Sequence, residues 1–279
     1  MRFTKMHGCG NDYIYVNGFE ETVPQENKSN LAQKLSDRHF GIGSDGLIFI
    51  NPSDKADFEM EMYNADGSRG KMCGNGIRCV AKYVYDKGMT GKKELTVESC
   101  GRIMELTLYT DHGNKVDHVR VNMGCPELRA SEIPVISDKE RVIDEPVKIG
   151  GSKYRITCLS MGNPHAVVFM NEIHSLDLAV IGPQFECDGL FPERINTEFV
   201  RVVDPGHLEM RVWERGSGET LACGTGCSAS AVAAVLLGHT HHSVEVKTRG
   251  GSMQVEWAGT EDDSVYLTGS AVKVFEGEI

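Results

Sequence analysis

Apolar and polar residues alternate in short runs along most of this 279-residue chain. Positions 47–50, 59–63, 95–98, 102–108, 119–122, 166–169, 198–203 and 209–213 read as strands, many of them with one buried face. Turn signals separate such runs: Asn51-Pro52, Asp66-Gly67, His112-Gly113-Asn114 and Asp204-Pro205-Gly206. Two stretches change the period. After Gly76, Ile77, Val80, Ala81 and Val84 fall at i, i+3, i+4 and i+7, which predicts a helix ending near Gly88. After Gly226, Cys227, Ser230, Ala231 and Ala234 take the equivalent places. That stretch is apolar on nearly every side up to Gly238, the mark of a helix enclosed by other structure. A third, more exposed helix is expected over 31–38.

Both main helices follow the same signature. Met72-Cys73-Gly74-Asn75-Gly76 and Ala222-Cys223-Gly224-Thr225-Gly226 stand 150 residues apart. Their approaches repeat at that offset: Glu59-Met60-Glu61-Met62-Tyr63 leads to Asn64, and Glu209-Met210-Arg211-Val212-Trp213 leads to Glu214. A third echo pairs Val97-Glu98-Ser99-Cys100-Gly101 with Val246-Lys247-Thr248-Arg249-Gly250. The expected architecture is α+β, with two pseudo-symmetric halves. Each is a curved, mostly antiparallel sheet wrapped around a central helix, with the active site at the interface. We expect an N-terminal half over 1–124 carrying Cys73, onto which 270–279 packs back, and a C-terminal half over 125–269 carrying Cys223. The proline- and charge-rich stretch 126–146 is the expected linker.

Composition narrows the function. A net charge of −11 argues against a general nucleic-acid binder. No apolar run approaches the ~20 residues of a membrane helix, and residues 1–12 lack a secretory h-region, so no membrane partner and a cytoplasmic location are expected. Nine cysteines, scattered and odd in number, suit a reducing compartment better than a disulfide scaffold. No CxxC or HExxH spacing occurs, and no metal site is expected. His239, His241 and His242 read as a solvated helix end and loop. The stretch 216–221 lacks the last glycine of a dinucleotide fingerprint, and no Gly-Lys-Ser/Thr completes a phosphate loop.

The chemistry lies in the twin signature. A thiol at a helix N-terminus feels the positive end of the helix dipole, which predicts a pKa below the usual ~8.5. The glycines let successive N–H groups face an anion such as a carboxylate. Two such thiols facing one α-carbon could remove a proton from one side and return one to the other. Asn11 (in Gly10-Asn11-Asp12) and Asn163 (in Gly162-Asn163-Pro164) are near-repeats. With Asn64, Glu214, Asn196 and Arg215 they complete the candidate polar set, Arg215 being suited to clamp a second carboxylate. Each asparagine is also a good turn former, Arg215 also suits a surface ion pair, and a buried packing role would account for either cysteine alone.

These residues resemble the diaminopimelate epimerase family. The matching pieces are 6–12 (MHGCGND), 41–46 (GIGSDG), 64–68 (NADGS), 73–78 (CGNGIR), 160–165 (SMGNPH), 192–196 (PERIN) and 214–226 (ERGSGETLACGTG). The resemblance implies interconversion of LL- and meso-diaminopimelate without PLP or any other cofactor, in lysine and peptidoglycan-precursor synthesis, by a homodimer. It implies Cys73 and Cys223 as the acid/base pair, with His165 and Glu214 supporting proton transfer and gripping the reacting ammonium. Asn11 would bind substrate, and Asn64, Asn163, Asn196 and Arg215 would hold its distal end. The backbone at Gly74, Asn75, Gly224 and Thr225 would hold the reacting carboxylate. One departure is visible: some members carry a substrate-contacting glutamine where this chain has Gly46. Related proline-type racemases usually have His where Asn75 stands, which favours diaminopimelate. A racemase of another amino acid, a PLP enzyme and a non-enzymatic metal- or redox-binding protein are the rival readings.

Overall fold

The computed structural model describes residues 1–70 and 73–279. Met72, the first residue of the first signature, lies with Lys71 outside the described residues. The chain divides into two compact units, Met1–Val121 with Thr268–Ile279, and Asn122–Leu267.

In the first unit the order is β1 (Arg2–Gly8), β2 (Asn11–Asn17), α1 (Gln25–Ser36), β3 (Gly46–Asn51), β4 (Phe58–Asn64), α2 (Gly74–Asp86), β5 (Glu94–Ser99) and β6 (Arg102–Thr110). Strand β7 (Val116–Gly124) runs past the end of the unit. β1 pairs antiparallel with β2, β2 parallel with β3, β3 antiparallel with β4, β4 parallel with β5, and β5 and β6 continue antiparallel. The apolar stripe of α2 behaves as its spacing predicts. Ile77, Val80, Ala81 and Val84 are all fully buried, and the helix packs on β1, β2 and β6.

The second unit repeats this order. It runs β8 (Glu145–Ile149), β9 (Ser152–Ser160), β10 (Pro164–Phe169), α3 (Leu178–Glu186), β11 (Asn196–Asp204), β12 (His207–Glu214), β13 (Gly218–Thr220), α4 (Gly224–Leu236), β14 (Ser243–Lys247) and β15 (Ser252–Glu256). β9 and β10 are antiparallel, β10 and β11 parallel, β11 and β12 antiparallel, β12 and β14 parallel, β14 and β15 antiparallel. Strand for strand, β9 to β12 match β1 to β4, and β14–β15 match β5–β6. From Gly226 to Ala234 every residue of α4 is buried, and the helix packs against β9 to β12 and β14–β15, so the enclosed helix expected there is present. After β16 (Val265–Ser270), β17 (Val272–Glu278) pairs antiparallel with β1.

Two readings need correction, and one helix went unread. The stretch 126–146 is not a free linker. Leu128 is buried, and Ala130, Ile133, Val135 and Val142 insert into the core of the second unit around Phe185 and Phe199. Most of its charged residues are exposed and break up that spacing. The helix expected at 31–38 runs instead from Gln25 to Ser36. Its first turns are polar and exposed, so they carry no apolar period. It stops because the Asp37 carboxylate takes the N–H groups of His39 and Phe40 (2.7 and 2.8 Å). Helix α3 was hidden by Gly182-Pro183, which reads as a turn. In the structure Gly182 lies against the Trp213 indole so closely that a Cβ would sit 2.2 Å from the ring.

Candidate functional site

Each signature cysteine is the N-cap of its helix. Cys73 has extended backbone (φ −138°, ψ 108°), and its Sγ accepts from Gly76 N at 3.2 Å. Cys223 repeats this (φ −123°, ψ 115°), accepting from Gly226 N at 3.4 Å. The first helical hydrogen bonds, Ile77 N to Cys73 O and Cys227 N to Cys223 O, are both 2.9 Å. The N–H groups of Gly74 and Asn75, and of Gly224 and Thr225, precede those bonds, where a helix leaves donors for an anion.

Among the described residues, the hydrogen-bond partners of Cys73 are neutral. The thiol donates to Asn11 Oδ1 (3.2 Å), which also accepts from Asn75 Nδ2 (3.4 Å). Asn11 is oriented from behind, because its Nδ2 donates to Asp45 Oδ2 at 2.6 Å. Asp45 and Asp12 share Arg38. Asn75 is held in turn by Arg78, fully buried, which donates to Asn75 Oδ1 (2.9 Å) and Gly74 O (3.1 Å). Tyr13 touches Cys73 and Asn11; burial first, then Cys73, pushes its hydroxyl above the usual tyrosine range. Asn64 donates to Ser68 Oγ (2.9 Å). At Gly46 a Cβ would lie 2.1 Å from Tyr63 O, so no side chain fits there without moving β4.

Around Cys223 the neighbours are charged. Thr225 Oγ1 lies 3.4 Å from the sulfur, and Glu214 is hydrogen-bonded by Cys223 and by the Thr220 hydroxyl. The sequence predicts a lowered thiol pKa here, and the structure reverses it. Burial, then the charges of Glu214 and Glu198, push Cys223 well above the ordinary thiol value; Thr225 and Gly226 offset only part of this. The helix end is outweighed because the thiolate would be desolvated beside two carboxylates. Burial likewise raises Glu214.

The remaining predicted residues lie in the second unit with Cys223. His165 Nε2 is 3.0 Å from Asn163 Oδ1, and Nδ1 is 2.7 Å from Glu198 Oε1. Asn196 donates to Pro164 O (2.7 Å) and accepts from Arg215 N (2.9 Å), so it ties β11 to β10 and to the turn after β12. The exposed Arg215 side chain rests on Glu193 O (2.9 Å). Sequence reasoning missed Glu198, Tyr13, Arg78 and Asp45. Only Glu198 left a trace, as a carboxylate in the otherwise uncharged run 196–200. Among the described residues, no three His, Cys, Asp or Glu side chains gather as a metal would require, and no helix is long and apolar enough to cross a membrane.

A duplicated α+β unit with a cysteine capping each matched helix defines the class, and comparison with solved structures gives the same fold. A probable proline racemase from Agrobacterium radiobacter K84 matches all of this chain and 92% of its own, with a TM-score of 0.71 at 13% identity. A phenazine-biosynthesis protein of the PhzF family from Bacillus anthracis matches all of this chain and 98% of its own (TM-score 0.69, 16% identity). At those identities the likeness is one of fold. Sequence resolves the family. The profile described as diaminopimelate epimerase matches residues 3–129 and 157–274. The diaminopimelate epimerases of Acetivibrio thermocellus and Agathobacter rectalis are 57% and 54% identical over all of this chain, covering 98% and 99% of their own lengths. That of Methanococcus maripaludis strain C6 is 50% identical, again over all of this chain and 99% of its own. The chain belongs to the diaminopimelate epimerase family.

Proposed function

We propose that the chain interconverts LL- and meso-diaminopimelate by two-base proton transfer at the α-carbon, without PLP, in the synthesis of lysine and peptidoglycan precursors. The observation that carries this is the pair of matched helix caps, Cys73 and Cys223, each placed where a thiol and a row of backbone donors meet. One sulfur takes the α-proton and the other returns a proton to the opposite face. The N–H groups of Gly74, Asn75, Gly224 and Thr225 hold the carboxylate on which negative charge develops. Cys223, whose proton is retained beside two carboxylates, is the donor when substrate arrives, and Cys73 is the acceptor in that direction. The reverse reaction exchanges the roles.

Asn11 points its amide oxygen at the Cys73 sulfur and fixes it. Glu214, on the Cys223 side, meets the reacting ammonium with its carboxylate, and His165 supports the transfer beside it. Asn64, Asn163, Asn196 and Arg215 hold the distal amino-acid end, Arg215 through paired N–H bonds to its carboxylate. The same reading makes the protein a homodimer working in the cytoplasm, which light scattering and cell fractionation check. The direct test is incubation with LL-diaminopimelate followed by chiral chromatography, beside a panel that includes proline and histidine. Meso product from LL-diaminopimelate is expected. Inversion of another amino acid without meso product would overturn the reading.

A further inference from the structure

We propose that Glu198 is a positioning residue of the Cys223 half: its carboxylate accepts the Nδ1–H hydrogen bond of His165, fixes how that ring faces, and sets a negative charge against the head of α4. The inference rests on the reading above for the role of His165, and on the geometry for everything else.

Glu198 and His165 have fully buried side chains, 2.7 Å apart through Oε1 and Nδ1. A buried carboxylate at that distance from a ring nitrogen accepts a hydrogen bond from its N–H, while the other nitrogen, Nε2, faces the Asn163 amide. The second oxygen, Glu198 Oε2, is buried with no hydrogen-bond partner among the described residues. Burying half a carboxylate unsatisfied is costly, so packing alone gives no reason for a glutamate here. The fold also makes room for it. A Cβ on Gly226, the last glycine of the second signature, would lie 2.7 Å from Glu198 Oε1. In the first unit the matched glycine is Gly76, and a Cβ there would meet Ile48 Cδ1 at 2.8 Å. Ile48 is the residue that Glu198 replaces at the 150-residue offset, and the strand registers agree: Tyr13 stands opposite Gly46 as His165 stands opposite Asn196. The scaffold is therefore satisfied by an isoleucine, and the second unit carries an acid instead.

The titratable groups around this pair come from four elements: Cys158 on β9, His165 on β10, Glu214 at the end of β12, and Cys223 capping α4. Glu198 contributes to the raised values of Cys158, Glu214 and Cys223, as a charge held among them would.

The test uses Glu198→Gln, which keeps shape and removes charge, and Glu198→Asp as the conservative variant. Glu198→Gln is expected to lower kcat on the order of tenfold or more with KM nearly unchanged, and to move alkylation of Cys223 by iodoacetamide to lower pH. Glu198→Asp should recover part of both. Unchanged kcat together with an unchanged alkylation profile in Glu198→Gln would overturn the proposal. Should the variant fail to fold, nitrogen-15 NMR of wild-type His165 decides alone. Nδ1 is expected to carry a proton in the resting protein, and a ring that carries its proton only on Nε2 would overturn it. Neither thiol alkylation nor ring tautomer needs turnover, so an enzyme inactive on diaminopimelate would count against the proposed function and leave this test standing.

Discussion

At the head of α2, Cys73 is half-buried and answers to Asn11 and Tyr13; at the head of α4, Cys223 is buried and answers to Thr225, Glu214 and Glu198. The backbones agree closely, cap for cap and glycine for glycine. What differs is the furniture at matched positions: Tyr13 against His165, Gly46 against Asn196, Ile48 against Glu198, Asn64 against Glu214. Even the support beneath the turn changes while its geometry holds. Arg78 donates to Gly74 O at 3.1 Å, and its counterpart Ser228 donates to Gly224 O at 3.1 Å. Duplication explains why there are two aligned thiols. Divergence gives the two aligned sulfurs different surroundings, with carboxylates standing beside Cys223.

The strongest break in the comparison is removal of either sulfur. Cys73→Ala and Cys223→Ala should each lower epimerisation by about a thousandfold or more in a coupled or chiral assay. Near-normal turnover in either one would leave a single functional half. Next comes the matched pair Asn64 and Glu214. Glu214→Gln should cost kcat about a hundredfold, whereas Asn64→Ala should act mainly on KM; the same kinetic signature in both would erase the distinction drawn here.

The thiols themselves should differ in pH dependence. Cys223 has its pKa raised in the folded protein, chiefly by burial and then by Glu214 and Glu198. Its alkylation should therefore begin at higher pH than that of an unfolded-chain cysteine near ~8.5. The same shift favours folding below that value. The contribution is lost as pH rises and the unfolded thiol ionises while the folded one does not. Mass-spectrometric mapping of iodoacetamide adducts against pH checks this. The smallest effect is the pair Gly76→Ala and Gly226→Ala. At position 76 the added methyl meets the flexible end of Ile48, and helix propensity gains up to ~1 kcal/mol, so stability should be almost unchanged. At position 226 it meets a carboxylate held by His165, and a net loss of about 1–2 kcal/mol is expected. Thermal melts of the two variants give the difference directly.

The twin caps, the apolar stripe of α2 and the enclosed α4 were legible because each leaves a local mark: a repeated tetrad, a period, an unbroken apolar run. The core role of 126–146 was not, because its inward residues are spaced irregularly among prolines and charges. Helix α3 was masked by Gly182-Pro183, of which Gly182 lies against Trp213. The pKa of Cys223 was misjudged for a related reason. A helix terminus can be read from neighbouring residues, but Glu198 and Glu214 reach the sulfur from other strands. Sequence distance conceals the burial, and after it the charges, that outweigh the dipole.

The most direct test of two sulfurs serving one carbon is turnover of LL-diaminopimelate in deuterium oxide, with label and configuration followed together at early times. The account predicts meso product carrying one solvent deuteron at the inverted α-carbon, while recovered LL substrate stays unlabelled, because each face exchanges through its own sulfur. Product that retains its original proton, or LL substrate that gains deuterium as fast as product forms, would show a single base at work and contradict it.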